Sequence, residues 1–439
     1  MQEDKKLSGT VKTILVITLF GVMTFLTLNI HSRCGIFNYH SEKFSDKAGY
    51  YVYLPATFIY DFNSKKFPDS IEYKTGEGFL FDRINNKVTT RYPYGVALLE
   101  LPFFAGAHII SILQGEPSNG FTQIYNHAID IAAVFYLVLG IFFLFKFLVF
   151  YFDDRTVGWA LFFFLFGTNL LFYSFRETGM SHIYSFFLIS AFLFCWKNYL
   201  SGKEQIKWMV FIGFLIGGII VVRPINAVFI SIFLFLDAVS FKERIIRLLS
   251  LKYKIFIIAL CAFLLIVPQL IYYIYLYGKP IAYSYGNESF IYKFSPQIHR
   301  VLFTFHNGLF IYNPIHIFTI AGMFMMIKKK MVNGYLALLL FISITMLYAS
   351  WWSPMLGCGF GHRGFVEFYP FLAIPFTFVI NKMLRESTSI IKISLFFLMF
   401  VMLVYNIKLS YAFDGCWYGK GPWDFDELKR LIFYRIFIT

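Results

Sequence analysis

Uninterrupted apolar runs recur from one end of this 439-residue chain to the other. Each is close to the ~20 residues that a helix needs to cross the hydrocarbon core of a bilayer. TILVITLFGVMTFLTLNI and IAAVFYLVLGIFFLF are typical. Neither alternates apolar with polar residues, as a membrane β-barrel would require. Composition agrees, with 58% of residues hydrophobic and only 15% charged, against roughly 25% charged in soluble domains. The expected class is an all-α polytopic membrane protein. Candidate spans are 11–30, 124–150, 156–175, 181–198, 208–222, 225–240, 254–277, 306–327, 333–352, 365–381 and 390–410. The first follows a basic head (Lys5, Lys6, Lys12) but is long for a secretory signal. No small-residue cleavage site follows it, so it is expected to stay as a span.

One further apolar run, 94–114, decides the topology. Basic clusters follow later spans: Lys197, Lys203 and Lys207; Lys242, Arg244, Arg247, Lys252 and Lys254; Lys328–Lys330; and Lys382, Arg385 and Lys392. If 94–114 does not cross, all of them share a side with the basic N-terminus, as the positive-inside rule requires of cytoplasmic loops. Glu100, Pro102 and His108 interrupt the run, so it reads as a juxtamembrane helix lying on or dipping into the outer surface. About eleven spans follow, N-terminus inside. Loops 31–123, 175–181, 222–225, 278–305, 352–364 and a short tail over 411–439 then lie outside. The chain reads as one membrane domain over 1–439, without repeats. Its net charge of +14 is explained by these cytoplasmic clusters and does not call for nucleic acid. The five cysteines show no metal-ligand spacing. Cys195 and Cys261 read as packing residues, and a disulfide among Cys34, Cys358 and Cys416 stays open.

The longest polar interval lies in the first loop. There Ser45 is placed to cap a helix from Asp46 to about Phe62, with Tyr50, Tyr51, Leu54 and Phe58 on one face against the membrane. A carboxylate held at the interface can serve as general base toward a hydroxyl; its ordinary alternative is an acid favoured at a helix start. Arg91-Tyr92-Pro93-Tyr94-Gly95 sets a cation and two aromatics before the 94–114 helix. Arginine suits phosphate, and equally suits an interfacial anchor. Arg176, Glu177 and His182 form a short outer turn, and Arg223 precedes Pro224 with no acid nearby in sequence. Loop 278–305 gathers Lys279, Tyr283, Tyr285, Lys293, His299 and Arg300, with His306 just beyond. The last loop sets Arg363 among glycines 357, 359, 361 and 364, with Trp351, Trp352 and Glu367 alongside. His182, His299, His306 and His362 with Asp46 leave a divalent metal open, but their spacing matches no metal motif. Six outer cations, Arg91, Arg176, Arg223, Lys279, Arg300 and Arg363, run against the positive-inside rule, which points to an anionic ligand such as a lipid phosphate.

In this pattern the chain resembles the GT-C superfamily of polytopic glycosyltransferases, which includes protein O-mannosyltransferases and the lipid A aminoarabinose transferase. The carrying motifs are FSDKAGYYVYLPA, TRYPYGVALLELPFF, FRETGMSH, VVRPIN, HNGLFIYNP and GFGHRGFVEFYPFLAIP, and they cover nearly the whole length. The resemblance implies a GT-C-like bundle whose large first extracytoplasmic loop carries juxtamembrane helices, and an extracytoplasmic active site in a bacterial inner membrane. It implies a polyprenyl-phosphate sugar donor and a hydroxyl-bearing envelope acceptor. By motif position it maps the catalytic acid to Asp46 and the donor phosphate to Arg91, Arg223, Lys279, Arg300 and Arg363. Tyr50, Tyr92, Arg176, Glu177, His182, Tyr285, His306, Trp352 and Glu367 complete the expected substrate pocket. Relatives often carry an acidic pair where this chain has Asp46-Lys47, so no cofactor is assigned and a metal stays open. Without a large soluble domain after the last span, the acceptor is expected to be a lipid, a glycan or a small surface. The alternatives are a lipid or sugar flippase, for which Asp130 with Asn126 and His127 is the main candidate, and an O-antigen ligase or polymerase.

Overall fold

A computed structural model describes residues 8–202, 205–238, 240–249, 251, 253–357, 359–413 and 425–433. Lys203, Lys252, Cys358, Cys416 and most of the tail over 411–439 lie outside them. Among the described residues, eight helices are long and apolar enough to span a bilayer: Gly9–His31, Gly95–Leu113, Gln123–Leu148, Ser181–Leu200, Tyr253–Tyr277, Val332–Ser350, Arg363–Glu386 and Ser389–Ala412. Three shorter apolar helices, Ile206–Val222, Pro224–Phe233 and His316–Lys328, join them. An all-α membrane bundle is therefore the architecture, and an integral membrane protein is the consequence.

Polar contacts sort the helix ends into two groups. At one end Lys197 and Asn333 converge on Asp237, at 2.5 and 2.6 Å. There too Lys12 pairs with Asp154 at 2.7 Å and Arg385 with Asp153 at 3.0 Å. At the other, His31 reaches the Phe175 carbonyl at 3.0 Å and Arg176 donates to the Phe413 carbonyl at 3.1 Å. Arg223 meets Glu367 and Arg363 meets Asp46 at this same end. The basic clusters and the polar loops thus sit at opposite ends of one antiparallel bundle.

Gly95–Leu113 qualifies as a span by length and composition, and its partners run from the second end to the middle of the bundle. Tyr184, near the start of its helix, donates to Glu100 at 2.8 Å, and Tyr125 bonds His108 at 2.7 Å. Tyr136 donates to the Leu99 carbonyl at 2.9 Å. The helix lies against Gln123–Leu148 from Tyr125 to Tyr136 and beside the last turn of Ile206–Val222.

Several local expectations are corrected. Ser45 does not cap its helix: its φ is 53°, and its side chain makes no capping bond. Its backbone N–H is instead held by the Thr75 carbonyl at 2.8 Å. The helix does not run on to Phe62 but breaks into Asp46–Tyr51 and Tyr53–Phe58, beyond which Asp61 and Phe62 have positive φ. Tyr50, Tyr51 and Leu54 do not face lipid. They are buried in protein, and only Phe58 is exposed. The apolar runs 156–175 and 306–327 are interrupted too. The first becomes Asp154–Gly167 and Leu170–Phe175, because Thr168 and Asn169 turn inward. Asn169 donates to the carbonyls of Phe360 and Gly361 at 2.9 and 2.7 Å, and Asn313 to that of Gly361 at 2.9 Å. Such buried amides satisfy backbone groups that a loop inside an apolar bundle would otherwise leave unpaired. They fix the segment leading to Arg363. A short hairpin, Leu80–Asp82 with Lys87–Thr89, was not anticipated.

Close helix packing gives a test. A Cβ on Gly322 would stand 2.0 Å from the Pro375 carbonyl oxygen, whereas one on Gly106 would meet nothing within 4 Å. Gly322→Ala is expected to destabilise the chain by about 1–3 kcal/mol through overpacking. Gly106→Ala should be neutral or stabilising by up to about 1 kcal/mol. Thermal unfolding of both variants in nanodiscs checks the contrast.

Candidate active site

Asp46 opens its helix where the first loop folds back over the polar end of the bundle. Tyr92 donates its phenol to Oδ1 and Arg363 a guanidinium N–H to Oδ2, the latter at 3.3 Å. The carboxylate keeps 28% of its side chain exposed and the guanidinium 23%, so the pair is shielded yet open to a ligand. Tyr50 packs its ring 4.6 Å from that of Tyr92 and donates to Ser181 Oγ at 3.2 Å. Position 49 must be glycine for this fit, since a Cβ there would lie 2.2 Å from the Tyr92 ring. Burial alone would raise the Asp46 pKa. The Arg363 charge, the Tyr92 hydrogen bond and the charges of Arg91 and Arg223 outweigh it and hold the group below its ordinary 3.8. Burial and the neighbouring Asp46 charge push the Tyr92 phenol up, so it stays a donor. Tyr285 is close enough to feel Tyr50, Arg223 and Asp46, and burial likewise raises its phenol.

A second charged group stands beside the first. Arg223 donates to Glu367 Oε1, and His182 Nδ1 lies 3.0 Å from the same oxygen and 3.2 Å from the guanidinium. Glu367 is fully buried. The arginine that lacks an acid nearby in sequence thus has one 144 residues later.

The other expected residues divide. Arg91 pairs with Glu288 at 2.7 Å and lies 5.5 Å over the Tyr92 ring, at the rim of the site. Arg176 is buried against the Phe413 carbonyl, and Glu177 pairs with Lys47 at 3.0 Å, so both brace the loop floor. His306 Nε2 lies 3.2 Å from the Gly357 carbonyl. Trp352 is exposed, and its backbone N–H is held by the Ser289 carbonyl at 3.0 Å. Lys279 and Arg300 are exposed and form no ion pair among the described residues. The four histidines do not gather on Asp46. His182 serves Glu367, His362 the Pro354 carbonyl at 3.0 Å, and His299 is exposed. A group that could hold a metal is instead His31, Glu42 and Asp130. Sequence reading missed the first two; the signal was a histidine ending the first span.

An apolar groove of about 460 Å³ opens between Gly95–Leu113, Gln123–Leu148, Ser181–Leu200 and Ile206–Val222. Leu98, Phe187, Ala191, Phe211, Gly218 and Val222 line it. Its upper end is tight: a Cβ on Gly95 would lie 2.4 Å from the Val221 backbone. Val222 in its lining directly precedes Arg223, and Gly95 lies three residues after Tyr92, so this end of the groove adjoins in sequence the segments that carry the charged site.

Among solved structures, the chain is similar to the archaeal oligosaccharyltransferase AglB from Archaeoglobus fulgidus, in complex with an inhibitory peptide and a dolichol-phosphate. The TM-score is 0.53 at 12% identity, over 91% of this chain and 55% of that one. The oligosaccharyltransferase of the same organism, tethered to an acceptor peptide containing the NVT sequon, aligns at TM-score 0.50 and 12% identity, over 92% of this chain and 55% of that one. The chain therefore spans about half the length of these proteins. No family model matches the sequence, and no curated protein does. At such identity the likeness is one of fold. The all-α membrane bundle expected from the sequence is the fold observed.

Because Asp46 is held below 3.8, its ion pair with Arg363 is complete above that value and fails only as pH falls through the lower folded pKa. Arg363→Gln removes the largest influence that lowers it and leaves burial, which raises it. The carboxyl infrared band of Asp46, read against Asp46→Asn, should then protonate at a higher pH in Arg363→Gln than in wild type.

Proposed function

We propose that the chain is a membrane glycosyltransferase that moves a sugar from a polyprenyl-phosphate donor to an acceptor hydroxyl. The observation that carries this reading is an ionised carboxylate and two arginines close to one end of an apolar groove of about 460 Å³. The groove takes the isoprenoid chain between helices, and the phosphate comes to rest at Arg223. Arginine offers a planar pair of donors for phosphate oxygens. The fold it shares with oligosaccharyltransferases, one of them in complex with a dolichol-phosphate, supports the donor class.

Asp46 then orients the acceptor O–H and accepts its proton as the oxygen attacks the anomeric carbon from the side opposite the phosphate. The bond from the anomeric carbon to the phosphate oxygen breaks, and the lipid phosphate leaves with the electron pair and inverts the anomeric centre. Arg223 and Arg363 stabilise the negative charge that develops on it. Tyr50, Tyr92 and Tyr285 wall the space above, where sugar faces stack on aromatic rings. The basic clusters at the opposite end of the bundle support a reading in which that end faces the cytoplasm and the site faces outward from a bacterial inner membrane. Gly95–Leu113 then lies along the outer surface. The acceptor is an envelope lipid, glycan or protein.

The test is turnover of radiolabelled polyprenyl-phosphate sugars by the purified chain in lipid. Wild type should transfer or hydrolyse at least one donor. Asp46→Asn should lose about 100-fold or more of that rate while still binding donor. Arg223→Gln should raise the donor KM about tenfold or more, the loss of one charge-assisted contact. Full turnover by Asp46→Asn would remove the acid from this scheme. Failure of wild type to bind or cleave any donor would end the glycosyl-transfer reading.

A further inference from the structure

Beneath the first loop, three side chains at most 1% exposed converge: His31 at the end of Gly9–His31, Glu42 on the loop, and Asp130 inside Gln123–Leu148. One ligand atom from each lies within 4.8 Å of the other two. Their hydrogen bonding is divided in a consistent way. His31 donates Nε2–H to the Phe175 carbonyl at 3.0 Å. Glu42 Oε2 lies 3.4 Å from the Ser41 hydroxyl, and Asp130 Oδ1 accepts from Thr178 at 2.9 Å. The remaining atoms, His31 Nδ1, Glu42 Oε1 and Asp130 Oδ2, are buried and have no hydrogen-bond partner. Nδ1 and Oε1 stand 2.9 Å apart, within ion-pair distance. His127 Nδ1 lies 3.5 Å from Asp130 Oδ2, and His31 Nε2 lies 3.7 Å from Oδ1.

With Nε2–H given to a carbonyl, the neutral ring turns the Nδ1 lone pair toward Glu42. That nitrogen faces carboxylate oxygens, a contact that needs either a proton or a metal ion between them. Two carboxylates sealed from water also need compensating charge. The nearby lysines are engaged elsewhere. Lys47 pairs with Glu177 at 3.0 Å, and Lys43 donates to the carbonyls of Thr122 and Gly120 at 3.1 and 3.4 Å. A ring nitrogen fixed through its other N–H, with carboxylates held through their second oxygens, is how proteins orient metal ligands.

We propose that His31 Nδ1, Glu42 and Asp130 bind a divalent transition-metal ion, which one imidazole and two carboxylates suit and render electroneutral. The ion is structural. It fastens the end of the first span, the loop and the third long helix together, and through Phe175 and Thr178 it braces the turn that leads to His182. It lies four residues before Asp46 without being a ligand shell for it, and the proposal holds whether or not the chain transfers sugars.

The experiment uses the full chain in nanodiscs, stripped with chelator and reloaded with Zn²⁺ or Co²⁺. Wild type should retain about one equivalent of zinc and unfold at a higher temperature with it. Its Co²⁺ form should show visible bands of nitrogen–oxygen ligation. His31→Gln, Glu42→Gln and Asp130→Asn should each lose the equivalent and the thermal shift. A folded wild type that retains no zinc overturns the proposal. So does zinc retained in all three variants with unchanged Co²⁺ bands. Where a variant does not fold, the wild-type stoichiometry and Co²⁺ spectrum decide.

Discussion

A carboxylate at residue 46 and a guanidinium at residue 363 meet across 317 positions of chain, and the polar end of the bundle is arranged around that meeting. Neither group could be left alone there, because an unpaired charge beside apolar helices costs several kcal/mol. Each is therefore held by other parts of the fold. Tyr92 and a glycine at 49 frame the acid. Asn169 and Asn313 hold the backbone that carries the arginine. The Arg223–Glu367–His182 group repeats the solution one layer across. The floor is closed by Lys47 with Glu177 and by Arg176 with the Phe413 carbonyl.

Much of this was legible in the sequence, for an identifiable reason. Apolar runs of bilayer length report helices directly, and charge asymmetry between loops reports which ends lie together. Asp46, Tyr92, Arg223 and Arg363 could be named because arginines on the less basic side of such a bundle need a reason to be there. Pairings were not legible. Nothing near Arg223 in sequence announces Glu367, and nothing near His31 announces Asp130, since these contacts arise only when distant helices pack. Ser45 shows the opposite failure. Its local pattern predicts a cap, but contact with the Thr75 turn sets its backbone instead. Tertiary packing overrode the local signal.

The helix Gly95–Leu113 is apolar and 19 residues long, and it walls the groove and carries the segment 92–95 towards the charged site. Its buried Glu100 is tolerated because Tyr184 donates to it.

The pairing of Arg363 with Asp46 and of Arg223 with Glu367 has one more consequence. The site holds its positive charges already neutralised, so an arriving anion does not fill a vacant field. It binds by exchange, and each guanidinium it takes is taken from a carboxylate. Under the proposed reading, capture of the donor phosphate loosens the grip on Asp46, and the acid gains proton affinity as the sugar arrives. The fold would then keep its base muted until a substrate is in place to use it.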